Sequence, residues 1–473
     1  MTEGMLLETN RQVESDIYCV ILPRQTGTEV LLSRADGRFA LPSVDVPRWQ
    51  RVAESLTSAV EKECGCDAIC LFTPDVTLAT GDAKRIRYQV MQCCDRLENH
   101  NNRTQWVPVS LLSQHAFADP TECAAIQQSL AQRDEYGRGS TPGPFVKPGW
   151  FNELRLWVDE VIAPLGLHLK GGCRQLNAAP SFSLIRLESS GPAVWFKAVG
   201  EPNLREFPIT LALAQLFPNY TPSILATRPE WNGWLALELE GGSLDECQST
   251  EEWRAAATAL AKLQIDSLGK HAQLLNVGAR DLRTSSLSGV LQPFLDVVGQ
   301  LMEQQSKTPP VVLTRKDLQL LGEHIQDALS LIDEIGIPEA LGHLDLNPGN
   351  IFVAANECRF LDWAEAYIGH PFFTFEYLLE HFRRRFGTNP TLEAQFTAAY
   401  AEPWRRLLSS DEASQALSLA PLLAAFACAA GNDVWSDPEK RQRPNVAGYL
   451  RSLTRRMKRE ADEWIARRAR CLN

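Results

Sequence analysis

One stretch constrains this chain more than any other: residues 342–363, GHLDLNPGNIFVAANECRFLDW. Pro348 and Gly349 interrupt any helix there, so Asp345 and Asn350 lie on a loop and not along one helix face. The apolar run Ile351-Phe352-Val353 reads as a short strand, Asn356-Glu357 as a turn and Phe360-Leu361 as the returning strand, with Asp362 at its end. A loop followed by a hairpin gathers Asp345, Asn350 and Asp362 at one end of a small sheet. Two carboxylates and an amide oxygen are hard oxygen ligands. That set suits Mg²⁺ carrying bound phosphates, with one carboxylate left to accept a proton.

This pattern resembles the aminoglycoside phosphotransferase and choline kinase family, which shares the protein-kinase fold. The family pattern is His-Gly-Asp-x-x-x-x-Asn, then a strand pair and Asp-Trp or Asp-Phe. Here it reads His343-Leu344-Asp345, then Asn350, then Asp362-Trp363. The resemblance implies ATP as donor, Asp345 as catalytic base for an acceptor hydroxyl, and Asn350 and Asp362 as Mg²⁺ ligands. Leu344 replaces the usual glycine, as larger residues do in related kinases. Gly369-His370-Pro371-Phe372-Phe373-Thr374 matches a Gly-Asp-Pro-x-x-Asp element with His370 and Thr374 where acids are usual. His343 itself reads as a buried organiser of the loop.

The same family requires a strand lysine on the α/β-phosphates, held by a helix glutamate. Lys197, in the strand-like run Val194–Val199, and Glu206, opening a helical stretch to Phe217, stand at that spacing. The turn Asn177–Ser181 between two strand-like segments lacks a Gly-rich fingerprint; the resemblance places the Ser181 hydroxyl at the β-phosphate. Trp234–Gly242 fits the interlobe hinge, where main-chain groups of Glu238, Leu239 and Glu240 would read adenine.

With 473 residues the chain exceeds the roughly 250–300 that one hydrophobic core serves, so several domains are expected. Residues 136–150, YGRGSTPGPFVKPGW, hold four glycines and three prolines and read as a linker. Lys+Arg 47 against Asp+Glu 58 gives a net charge of −11, which disfavours nucleic acid and suits neutral or cationic small molecules. Residues 439–473 run against that sign, with eleven Lys or Arg and four acids. Tyr449, Leu453, Met457, Trp464 and Ile465 fall near helical spacing there, predicting an amphipathic terminal helix with a solvated basic face. The N-terminal residues show no basic region followed by an apolar stretch, and the longest apolar run, Leu419 to Ala430, reads as a buried helix. A cytoplasmic protein without membrane contact is therefore expected. Cys64, Cys66, Cys70, Cys93 and Cys94 crowd the first part of the chain without a CxxC pair. They read as small buried apolar side chains and not as a zinc site.

Residues 17–135 resemble a Nudix domain in layout, with strand-like runs around the helix-like Ala53–Cys64 and a closing Trp106-Val107-Pro108. Against the Nudix box, Val44, Gln50, Ser58, Ala59 and Lys62 stand at five positions where Gly, Glu, Arg, Glu and Glu belong, and Glu63 alone remains. One carboxylate beside an ammonium group does not assemble the usual divalent site, so the resemblance implies a non-hydrolytic domain. The expected fold is α+β. A small α/β Nudix-like domain (1–135) and a linker (136–150) precede a bilobal protein-kinase-like domain, with N-lobe 151–240 and helical C-lobe 241–473. The expected function is an ATP- and Mg²⁺-dependent phosphotransferase acting on an aminoglycoside-, choline- or sugar-like alcohol. The alternative is a nucleotide-binding, kinase-like regulator that acts on a protein partner through the Nudix-like domain or the basic C-terminal helix.

Overall fold

The computed structural model describes residues 14–35, 37–75, 85–93, 104–139, 141–355 and 357–471. Cys94 and the turn residue Asn356 lie outside them. The chain forms two compact units, one of residues up to Leu204 with Ile224–Glu238, the other of Arg205–Ser223 with Leu239 onward.

In the first unit, β1 (Ser15–Ile21), β2 (Glu29–Ala35), β3 (Arg38–Ala40), β4 (Ser43–Pro47), β5 (Ala68–Phe72), β6 (Ile86–Cys93) and β7 (Thr104–Pro108) form two sheets, ordered β4-β1-β6-β5 and β3-β2-β7. β1 and β6 run parallel, with Ile17 opposite Ile86. Helix α1 (Val52–Cys64) turns Ala53, Leu56 and Val60 onto Tyr18, Val20 and Met91, at the 3–4 residue spacing of an amphipathic helix. The expected strands and the helix at 53–64 all appear. Cys64, Cys66, Cys70 and Cys93 are buried, and among the described residues no group of three His, Cys, Asp or Glu is placed to hold a metal.

Helices α2 (Thr121–Arg138) and α3 (Trp150–Ile162) lead into β8 (Leu169–Ala179), β9 (Phe182–Ser189), β10 (Val194–Ala198), β11 (Ile224–Arg228) and β12 (Gly233–Leu237). These five make one antiparallel sheet in the order β11-β12-β10-β9-β8. Its inner face shares a core with the N-terminal strands: Ile21, Val30 and Val90 pack in the same cluster as Ile185, Phe196 and Leu235. Gln175 of β8 extends that junction, its Oε1 accepting from the Cys70 N–H at 2.7 Å.

The stretch expected as a linker contributes Phe145, Val146 and Trp150 to this core. Phe145 and Val146 are buried, and the Phe145 ring meets Trp150, Phe196 and Trp231 at 4.8, 5.9 and 5.8 Å. A Cβ on Gly143 would stand 2.1 Å from the Pro180 carbonyl oxygen, which in turn accepts from the Phe145 N–H at 3.0 Å. Glycine and proline there permit close approach to the sheet, and the few apolar residues between them anchor the segment.

In the second unit, α4 (Glu206–Leu216), α5 (Thr250–Asp266), α6 (His271–Asn276), α7 (Thr284–Glu303), α8 (Arg315–Ile335), α9 (Phe372–Phe386), α10 (Pro390–Ala401), α11 (Ser410–Ala430), α12 (Pro438–Arg441) and α13 (Pro444–Cys471) surround two small sheets. These are β13 (Gly242–Ser243), β16 (Ile351–Ala354) and β17 (Glu357–Phe360), and β14 (Arg280–Leu282), β18 (Ala366–Gly369) and β15 (Ala340–His343). One core joins α5, α9 and α10, where Phe375 stacks on Tyr400 at 4.0 Å. The other joins α7, α8, α11 and α13. By length and composition α11 could cross a membrane, yet Leu419, Leu423 and Phe426 are buried among the helices, as the apolar run predicts. The terminal amphipathic helix is α13, and it docks through Leu450, Met457 and Trp464.

Replacing Phe145 by alanine removes a ring from the core shared by both parts of the first unit. The expected cost is about 3–5 kcal/mol, read as a lower urea midpoint. An unchanged midpoint would place residues 142–146 outside the folded core.

Candidate active site

The expected loop and hairpin are present in the second unit. β15 ends at His343, a 3-10 turn covers Pro348–Asn350, and β16 and β17 pair with Ile351 opposite Phe360. The loop is knitted by its own backbone. Asn347 N–H donates to the Asp345 carbonyl at 2.8 Å, and its Oδ1 accepts from Gly349 N–H at 3.0 Å. Asn350 closes the turn, its Nδ2 donating to the Asp345 carbonyl at 3.0 Å and its carbonyl accepting from Leu361 N–H at 2.9 Å. The amide nitrogen of Asn350 is thereby spent on the loop, which orients the side chain and leaves Oδ1 as its acceptor atom.

His343 ties the loop to the far end of the hairpin. Its ring is 1% exposed; Nδ1 accepts from Asp345 N–H at 3.1 Å, and Nε2 lies 3.2 Å from the Leu361 carbonyl. Because Nδ1 accepts, the proton belongs on Nε2, which donates to that carbonyl. Burial lowers the His343 pKa against the pull of Asp362 and Asp345, so the ring is neutral at physiological pH. Next to Leu361, Asp362 adopts φ 64° and ψ 53°, the left-handed region that costs a non-glycine residue about 1 kcal/mol or more. Trp363 anchors this bend, its Nε1–H donating to the Phe360 carbonyl at 3.0 Å and its ring lying 5.0 Å from His343. Asp345 and Asp362 are both exposed.

The departures at residues 369–374 leave the bracing intact. Thr374 Oγ1 accepts from His343 N–H at 2.8 Å and lies 3.0 Å from the Tyr367 hydroxyl, which donates to the His370 carbonyl at 3.0 Å. A hydroxyl thus accepts from the loop where the family pattern has a carboxylate. His370 is buried and its pKa is pushed down to about 3, so it is an uncharged filler whose Nδ1 accepts from Phe372 N–H at 3.3 Å. Tyr367 also explains Gly342, since a Cβ there would lie 2.0 Å from the Tyr367 ring.

Several residues at the site went unread in the sequence. Tyr377, on α9, donates to Asp345 Oδ1 at 2.9 Å, and burial beside that carboxylate pushes its phenol pKa up. Its position three residues beyond Thr374, on the helix that follows the bracing element, is the one signal that could have found it. Tyr449 and Cys428 lie within electrostatic reach of Asp345. Arg280 holds Glu365 through Nε and Nη2 at 3.0 and 3.1 Å. No spacing rule connects residues so far apart in sequence.

The remaining predicted residues fall in both units. Lys197 is central in β10, opposite Leu184 and Trp234, with Nζ 5.8 Å from the Trp234 ring. It belongs to the first unit, while Glu206, the buried first residue of α4, belongs to the second. Ser181 sits at the tip of the two-residue hairpin between β8 and β9 with its side chain against Gly200, where a Cβ would lie 2.0 Å from Ser181 Oγ. The amide of Glu238 donates to the Ala193 carbonyl at 2.8 Å and its carboxylate grips Arg186 at 2.5 and 2.7 Å. Leu239 and Glu240 follow at the start of the second unit's next segment.

The donor set fits a hard divalent cation that also carries phosphate oxygens. Asp362 and Asn350 offer one carboxylate and one amide oxygen, so the nucleotide and water would complete the shell.

Residues 204–408 match the phosphotransferase enzyme family. No curated protein matches the chain. Among solved structures, the chain is similar to a macrolide 2'-phosphotransferase from Brachybacterium faecium, with 18% identity, TM-score 0.40, and coverage of 62% of this chain and 98% of that one. An ethanolamine kinase from Plasmodium vivax gives 14% identity, TM-score 0.45, and coverage of 72% and 95%. A choline kinase from Cryptosporidium parvum gives 13% identity, TM-score 0.43, and coverage of 64% and 90%. The segment that carries Glu206, Asp345, Asn350 and Asp362 is the one that matches a family of phosphotransferase enzymes.

Proposed function

We propose that this protein is an ATP- and Mg²⁺-dependent phosphotransferase that moves the γ-phosphoryl group to a hydroxyl of a small molecule. One observation carries the reading: Asp345 presents an exposed carboxylate, oriented by Tyr377, on a loop bonded to Asn350 and next to Asp362 through His343. In this reading Asn350 and Asp362 hold Mg²⁺, which when bound neutralises charge on the transferring phosphoryl group. By the family resemblance, Lys197 has the role of steadying the α/β-phosphates, Glu206 that of its counter-charge, and Ser181 that of a β-phosphate contact. Main-chain groups of Leu239 and Glu240 contact adenine, since the Glu238 amide is engaged inside the sheet.

Asp345 accepts the hydroxyl proton of the acceptor. The acceptor oxygen then forms the new P–O bond as the bond to the ADP leaving oxygen breaks. The Tyr377 hydroxyl fixes the Asp345 rotamer by donating to Oδ1, so Oδ2 is the oxygen that takes the proton. His343, neutral and fully engaged, holds the loop and carries no proton in the reaction.

The alternative, a nucleotide-binding regulator, is disfavoured by the retention of Lys197, Asp345, Asn350 and Asp362 together. For residues 17–135 we propose a Nudix-like layout without hydrolysis. The mixed sheet and α1 suit that layout, and Ser58, Ala59 and Lys62 stand where the Nudix box has Arg, Glu and Glu. That domain and the basic face of α13 are the surfaces proposed for a protein partner. A cytoplasmic location fits the reading.

Asp345→Asn is expected to lower turnover by roughly two to four decades while ATP still binds. Transfer of ³²P from γ-labelled ATP into an acceptor panel measures it, and equal turnover in both proteins would refute the base. Asp362→Ala is expected to abolish the Mg²⁺-dependent part of ATP affinity, read by calorimetry with and without the metal. Tyr377→Phe removes one hydrogen bond to a charged group, of about 1.5–3 kcal/mol, so kcat is expected to fall roughly ten- to a hundredfold with ATP KM unchanged.

A further inference from the structure

In the first unit, one face of the sheet β4-β1-β6-β5 carries charged side chains that the proposed phosphoryl transfer does not use. Tyr18 of β1, Val46 of β4 and Met91 of β6 pack in one cluster with α1. Side chains alternate along a strand, so Asp16, two residues before Tyr18, and Arg87, four before Met91, face that same side. Arg85 stands two residues before Arg87, its carbonyl accepting from Ile17 N–H at 3.0 Å, and Arg48 follows the end of β4. Together with Val52, the first residue of α1, these groups line a cavity of about 260 Å³.

Asp16 is buried on the middle strand and takes a guanidinium from each side. Arg48 Nε donates to Oδ1 and Arg87 Nε to Oδ2, both at 3.0 Å. Burial pushes the Asp16 carboxyl up, but the two guanidinium groups outweigh burial and hold it below its ordinary value, so it is ionised. Each arginine is gripped at Nε, the nitrogen next to its stem, which fixes the stem beneath the terminal amino groups. Their side chains are still 37% and 40% exposed.

One guanidinium would neutralise Asp16, yet the walls hold three guanidinium groups and one carboxylate. Glu14, at the exposed rim, accepts from Arg48 Nη1 at 2.5 Å and still leaves a positive excess. That excess runs against the −11 of the whole chain. Gathering like charges on one sheet face costs energy, which a bound anion offsets. A carboxylate is satisfied by one guanidinium fork, whereas a phosphate monoester brings three oxygens and nearly two charges. Val46, Pro47 and Val52 add an apolar wall for a carbon skeleton.

We infer that this cavity binds a small phosphate monoester, its phosphate held by Arg48, Arg85 and Arg87 and its carbon skeleton lying against Val46 and Val52. None of these residues belongs to the candidate active site, so this reading and the phosphotransferase reading stand or fall separately. The N-terminal domain then holds a phosphate ester through arginines, without a metal.

Calorimetry on the full chain tests it, with inorganic phosphate, glycerol 3-phosphate and ribose 5-phosphate as probes and ribonate as the carboxylate control. At least one phosphate ester is expected to bind more tightly than ribonate. Its affinity should rise between about pH 5 and pH 7.5, as the phosphate gains its second charge near pH 6. Arg85 is exposed, so Arg85→Ala is expected to keep the melting temperature and the ATP affinity while weakening the ester about tenfold or more. Arg87→Gln is expected to weaken it similarly; where that variant lowers the melting temperature, Arg85→Ala alone decides. No binding of any phosphate probe, or equal binding by wild type and Arg85→Ala, would overturn the site. Ribonate binding as tightly as the esters would overturn the assignment to phosphate.

Discussion

The His343 imidazole ties together two segments that the Asn350 carbonyl and the Leu361 N–H also join: Nδ1 takes the Asp345 amide, and Nε2–H reaches the Leu361 carbonyl beside Asp362. The bond accepted by Nδ1 needs the neutral ring, and burial keeps it neutral despite two nearby carboxylates. Its backbone N–H is in turn held by Thr374, so α9 is fastened to the same point. From that point α9 carries Tyr377 to Asp345. One uncharged side chain, together with Asn350, thus ties the loop of Asp345 to the strand end that carries Asp362.

Net charge and local charge give different accounts of the same protein. A total of −11 is compatible with a cationic ligand. In the second unit, however, Glu365, Asp433, Glu376 and Glu380 are each paired with one or more of Arg280, Arg205, Arg383, Arg384 and Arg456. A charge paired in a partly buried site contributes little to the field a ligand meets, whereas a global sum counts it in full. Arg456 lies on α13, so part of the basic terminal segment serves an internal pair. Arg451 and Arg455 likewise donate to the Leu301 and Val311 carbonyls, whereas Arg459, Arg467, Arg468 and Arg470 are exposed, so the solvated basic face that the helical spacing predicts is confined to part of the helix.

Local pattern succeeded where the fold is encoded in neighbouring residues. The loop, the hairpin at 351–360, the helix at 53–64 and the lone strand lysine were legible because turn chemistry and apolar periodicity act over a few residues. The segment at 136–150 was misread for the opposite reason. Its glycines and prolines resemble a flexible connector. Yet Phe145, Val146 and Trp150 are buried against strands that lie both before and after them in the chain. Composition records backbone freedom and says nothing of which surface waits to be covered.

The sequence by itself determined which residues the proposal rests on, Asp345, Asn350 and Asp362 with Lys197 and Glu206, because their types and spacings match the pattern of the family that the loop resembles. Only the tertiary structure decided what surrounds it. Tyr377, Cys428 and Tyr449 converge on Asp345 from helices up to about a hundred residues away, and Arg280 closes on Glu365 across 85 positions. Thr374, not an acid, accepts from the loop. Hydrogen bonds and ion pairs fall off within a few ångströms, so their partners are chosen by packing of the helical cores. That packing is long-range in sequence and leaves no periodic trace.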